Sequence, residues 1–116
     1  MDPKIDELTE SLSAALRESE EYREYKRLRD KVNENDLTRH LLSEYHELMI
    51  LQQAQLMQGI RDSGTEEKMK KINEVLQFDD TAFAYLSAEY SVHSVLSEIY
   101  KRIANSVEIN LNMFES

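Results

Sequence analysis

Residues 36–59 read DLTRHLLSEYHELMILQQAQLMQG, and their spacing decides the fold. Leu37, Leu41, Tyr45, Leu48, Leu51 and Gln55 recur every three or four residues, which is the period of one helix face. Leu42, Met49, Ile50, Leu56 and Met57 widen the apolar surface. Asp36 offers an oxygen to the free amides of a first turn, and Gly59 suits the left-handed residue that closes a helix. The pattern predicts a helix from Leu37 to about Gln58.

The neighbouring segments repeat this reading. Upstream, Asp2 precedes Pro3, and proline at the first helical position gives up no hydrogen bond. Ile5, Leu8, Leu12, Ala15 and Leu16 make one apolar stripe, continued by Tyr22, Tyr25, Leu28 and Val32. Ser19, followed by Glu20 and Glu21, offers a second cap. The helix either bends there or runs through, and both readings stay open. Asn33 to Asp36 forms the first break and Gly59 to Gly64 the second. Thr65, with Glu66 and Glu67, is read as the cap of a third helix that buries Met69, Ile72, Val75 and Leu76. Asp79 and Asp80 form the third break. A final helix is expected from Thr81 to Met113, on the order of 45 Å at 1.5 Å per residue. Its apolar set is Phe83, Leu86, Tyr90, Val92, Leu96, Ile99, Tyr100, Ile103, Val107 and Leu111.

Two glycines and one proline leave too little turn chemistry for a many-stranded β protein. Breaks of a few residues place successive helices side by side. The expected fold is all-α: an antiparallel helical bundle of four to five helices with a long C-terminal helix, as a single helical domain over residues 1–116. The last helix outruns the third, so it needs a second chain to cover it. A homo-oligomer is expected, with a dimer as the first guess.

The formal net charge of −9 excludes several partners. Nucleic-acid affinity rests on Lys and Arg neutralising phosphates, and anionic membranes select basic segments in the same way. No direct nucleic-acid or membrane binding is expected, and a basic protein partner is left open. With no cysteine there is no disulfide, thiolate ligand or thiol nucleophile. The N-terminus MDPKIDELTE lacks the apolar core of a secretory signal, so the expected location is cytoplasmic.

Catalytic motifs fail at named positions. A di-iron carboxylate helix wants Glu three residues before His, but Leu37, Ser43 and Tyr90 stand there before His40, His46 and His93. His46-Glu47 begins a zinc-protease helix, and Ile50 occupies the place of its second histidine. Gly59 and Gly64 have phosphate-loop spacing, but Thr65, Glu66 and Glu67 follow where lysine is required. Glu89 and His93 share a helix face and are read as a surface pair. A metallo-enzyme using Glu44, Glu47, Glu89 and Glu98 is the weaker alternative, and an orphan structural oligomer is the third. No enzyme activity and no cofactor are expected.

Residues 48–58 carry no charge and mix Leu and Met with four glutamines, a composition of interface centres as well as of doubly buried helices. Tyrosines on or beside the stripes suit packing first and contacts second. The candidate interface is therefore Leu48, Leu51, Gln52, Gln55, Leu56, Tyr90 and Leu96.

Ala15-Leu16-Arg17-Glu18-Ser19-Glu20-Glu21-Tyr22 resembles the opening of the YlbF/YmcA family of small bacterial helical proteins. Tyr25-Lys26, the break at Asn33 to Asp36, Leu51-Gln52-Gln53-Ala54-Gln55 through Gly59, and Ala88-Glu89 to Ile103 continue that pattern in order. The resemblance covers nearly the whole chain. It implies a self-associating helical bundle that acts as a regulatory adaptor. It also implies links to competence, sporulation and biofilm formation in Firmicutes, in some members through the mRNA-cleaving RNase Y. Members that hold an iron–sulfur cluster do so through cysteines, which this chain lacks. It is more similar to the short, cysteine-free YheA-type members.

Overall fold

The computed structural model describes residues 1–109. These form five helices: α1 (Pro3–Arg17), α2 (Glu20–Asn33), α3 (Asp36–Met57), α4 (Ser63–Leu76) and α5 (Asp80–Ser106). Among the described residues there is no strand. The all-α expectation with a long last helix holds. Leu111 and Met113, placed in that helix by the sequence, lie outside the described residues.

Ser19 separates α1 from α2. Its hydroxyl donates to the Leu16 carbonyl at 2.6 Å and its oxygen accepts from the Tyr22 amide at 3.2 Å. One side chain thus satisfies the end of one helix and the start of the next. Asp2 caps α1 through the Lys4 amide at 2.8 Å, as its place before Pro3 predicts, while the caps of α3 and α4 sit slightly off their expected places. Asn35, one residue before Asp36, caps α3 through the Thr38 amide at 3.1 Å. Asp62, three residues before Thr65, caps α4 by accepting from the amides of Gly64 and Thr65. Gly59 does close α3. It has φ +73°, and the Ile60 amide reaches back to the Gln55 carbonyl at 2.8 Å.

α5 stops at Ser106, short of the expected Met113. The Ile109 amide bonds the Ala104 carbonyl at 2.9 Å, and Glu108 takes φ 59°. This is the same 6→1 closure used after α3, here with a non-glycine residue in the left-handed position.

The chain divides into two compact units, residues 26–86 and residues 1–25 with 87–116. In the 26–86 unit, α3 packs on α4 as a helix hairpin. Its buried residues include Leu28, Val32, Leu42, Leu48, Met69, Ile72, Leu76, Ala82 and Tyr85. Thr65, Met69, Ile72 and Leu76 are one row of α4, which leaves Val75 exposed a third of a turn away. α3 buries Thr38, Leu42 and Leu48 and exposes Leu37, so the first turns of its buried face are rotated from the predicted stripe, while Leu48 stays on it. The Thr38 hydroxyl explains the rotation: it donates to Asp79 Oδ2 at 2.6 Å, across the unit.

The second unit is drier in sequence than in structure. α1 has no buried residue, and Ile5, Leu8 and Leu12 are exposed. On this part of α5 the buried positions are Ala88 and Ala104, while Leu96, Tyr100 and Ile103 face outward.

Candidate protein-interaction site

The charge-free end of α3 is fixed in place by its inner residues. Leu48 is 8% exposed and belongs to the core of the 26–86 unit. Gln52 and Gln55 are half-buried beside it. Leu51 and Leu56 are 46% and 59% exposed, and Met57 and Ile60 extend the apolar surface to the Gly59 turn. Across the α3–α4 hairpin's own unit, Val75 and Phe78 are also exposed, Phe78 at 90%. The helix therefore anchors with Leu48 and presents Leu51 and Leu56. Water contacts aliphatic surface there with no charged side chain from 48 to 58 to compensate.

Tyr90 and Leu96 belong to the other unit. Tyr90 is 74% exposed and lines an open depression with His93, Ser94, Ser97, Glu98 and Lys101. Leu96 borders a groove of about 260 Å³ formed with Ser13, Leu16, Arg17, Ser19, Glu21, Tyr22, Val92 and Val95. Sequence reading assigned Leu16, Tyr22 and Val92 to packing. Their apolar character was legible, but the kink at Ser19 that opens a groove beside them was not.

A second cavity of about 340 Å³ lies within the 26–86 unit between α2 and α3, lined by Arg29, Arg39, His46 and Glu47 above Val32, Leu42 and Tyr85. Arg39 pairs with Asp36 at 2.6 Å. The carboxylates named for a metal alternative are spread over both units: Glu44 and Glu47 on α3, Glu89 and Glu98 on α5, with Glu98 paired to Arg102 at 3.1 Å. Among the described residues no group of three or more His, Asp or Glu side chains is placed to hold a metal ion. No helix of the described residues is long and apolar enough to cross a membrane.

Asp79 is the residue whose chemistry the fold changes most. The Thr38 hydroxyl holds its carboxyl below the ordinary carboxylate range. Partial burial acts in the opposite direction, and the Ala82 and Thr81 amides add to the lowering. Asp79 Oδ1 accepts from the Ala82 amide at 3.0 Å, so the same carboxylate caps α5 and ties it to α3. Sequence reading saw only a break at this point. This junction positions the helices.

Residues 5–108 match the family model described as control of competence regulator ComK, YlbF/YmcA. The chain is 30% identical over 103 residues to a UPF0342 protein of Symbiobacterium thermophilum, covering 87% of this chain and 91% of that one. It is 32% identical over 100 residues to a UPF0342 protein of Staphylococcus aureus, covering 84% and 86%. Its fold is similar to a chain in the crystal structure of Bacillus subtilis RicA in complex with RicF, with a TM-score of 0.63 and 16% identity. That match covers 93% of this chain and 96% of the other.

Proposed function

The chain belongs to the YlbF/YmcA family, and from that premise we propose that it is a non-enzymatic regulatory adaptor that works by binding protein chains, its own copies included. The observation that carries this reading is the uncharged apolar surface of Leu51, Leu56, Met57 and Ile60, held outward by a buried Leu48. Exposing these aliphatic side chains to water, with no charged neighbour from 48 to 58, has a cost that a partner chain removes by covering them. The regulatory setting is that of the family, the control of competence. The narrower version of the proposal is adaptor action in RNase Y mRNA processing, with sporulation and biofilm formation downstream, in the cytoplasm. The similarity in fold to a protein solved in complex with another supports the adaptor reading.

Paired substitution of Leu51→Glu and Gln55→Glu tests the surface. The wild-type protein is expected to scatter light at a multiple of 13.6 kDa at micromolar concentration. The variant is expected to fall to the single-chain mass with its helical circular dichroism intact. A wild-type mass of one chain, or a variant that stays assembled, would overturn the reading. Affinity capture from the native host then separates an adaptor, which brings down a second protein, from an orphan oligomer, which brings down only itself.

A further inference from the structure

The acidic residues are not shared evenly between the two units. Residues 26–86 carry eleven acidic and nine basic side chains, whereas residues 1–25 and 87–116 together carry twelve acidic and five basic. Most of the net charge therefore belongs to the unit that also holds the Leu16–Leu96 groove. The groove has apolar walls in Leu16, Tyr22, Val92, Val95 and Leu96. At the α1–α2 junction Arg17 and Glu21 line the groove, and Glu18 and Glu20, neighbours in the chain, are exposed as well.

From this combination we infer that the groove is the receptor for a basic amphipathic helix of a partner protein. An apolar side chain of that helix fills the groove, and its Lys or Arg residues meet Glu18, Glu20 and Glu21. The inference deepens the adaptor reading and rests on it. Charge selects the occupant. A second copy would bring the same acidic excess to the contact, and like charges facing each other oppose association. Phosphate backbones and anionic lipids are repelled for the same reason. A cationic helix gains on approach from the field of the acidic unit and gains on docking from apolar burial. The break at Ser19 sets the C-terminus of α1 beside the first turn of α2, which carries Glu20 and Glu21.

The test uses a synthetic helical peptide of leucine and lysine arranged with one apolar face, followed by fluorescence anisotropy against the full chain. Controls are a peptide of the same composition with the face scrambled, and a leucine–glutamate helix. Binding of the first peptide alone is expected, weakening with added salt. The triple substitution Glu18→Gln, Glu20→Gln and Glu21→Gln is expected to weaken it by about tenfold or more, as rim charges govern electrostatic docking. Leu96→Asn is expected to weaken it comparably without changing the mass of the protein alone, and circular dichroism checks that both variants stay helical. Leu51→Glu with Gln55→Glu is expected to leave peptide binding intact, which separates this inference from the self-association surface. Equal binding of the scrambled or acidic peptide, or unchanged affinity in the triple variant, overturns it. So does a drop in assembly mass on Leu96→Asn, which would make the groove a contact between copies.

Discussion

Thr38 is 3% exposed, and its hydroxyl donates to a carboxylate forty-one residues away. A buried hydroxyl needs such a bond, and bonds to charged acceptors are the stronger kind. Replacing Thr38 with Val keeps the shape and removes the donor. The expected loss is about 1–3 kcal/mol of unfolding free energy in urea titration. Asp79→Asn is expected to lose less than Asp79→Ala, because the amide oxygen still caps α5. The pH dependence has a definite sign. The folded-state pKa of Asp79 is lowered, so the stabilisation is complete above the unfolded value and is lost as pH falls through the folded one. Wild type and Thr38→Val should therefore converge in stability on the acid side of about pH 4 and differ fully at neutral pH. A gap that stays constant down to pH 2 would assign the loss to packing instead. None of this pair was legible as a pair in the sequence. Threonine three residues after an Asx cap is commonplace, and nothing local marks it as inward-facing. Gly59 is the opposite case: its place after the last periodic residue announced the left-handed closure that φ +73° records.

At the scale of the helix, periodicity located the helical segments, left the division of α1 from α2 open, and misjudged some faces and ends. The three breaks at Asn33 to Asp36, Gly59 to Gly64 and Asp79-Asp80 all separate helices. The caps shifted because Asn35-Asp36 and Asp62-Ser63-Gly64-Thr65 each offer several short side chains with an acceptor, and propensity alone does not choose among neighbours. α3 rotated because its apolar residues nearly encircle it, so a single buried polar bond was enough to set which row faced inward. On α5 the alanines Ala82, Ala88 and Ala104 are buried while Phe83, Tyr90, Tyr100 and Ile103 are exposed, the reverse of ranking by hydrophobicity. Small residues permit close approach of a neighbouring backbone, which a stripe drawn from large side chains overlooks. The end of α5 gives a prediction at this scale. Glu108 holds φ 59° without the freedom of glycine, a conformation that costs roughly 1–2 kcal/mol for a residue with a Cβ. Glu108→Gly is expected to stabilise the protein by about 0.5–1 kcal/mol, read as a higher thermal midpoint. A lower midpoint would mean the left-handed closure is not maintained in solution.

For the molecule as a whole, the exposed apolar residues outnumber what the cores explain. Leu51, Leu56 and Met57 on α3, Ile5 and Leu8 on α1, and Leu96 and Ile103 on α5 all face water in the single chain. The composition of residues 48–58 marks the first group as a candidate contact surface, because the absence of charge is a local signal, and the same composition suits a doubly buried helix, which their exposure does not fit. The groove beside Leu96 was not legible, since it depends on a kink whose occurrence the sequence left open and on residues far apart in the chain. The proposed self-association has a thermodynamic consequence beyond mass. Anything that binds the folded state and not the unfolded one raises stability in proportion to the logarithm of its concentration, and a second copy is such a ligand. The thermal midpoint of the wild-type protein should therefore climb with protein concentration. In the Leu51→Glu, Gln55→Glu variant the midpoint should be lower and independent of concentration, because the chain then unfolds as a single molecule. If instead both proteins show the same concentration dependence, assembly runs through a different face. If neither shows any, the chain does not assemble on itself and the self-association reading of α3 falls.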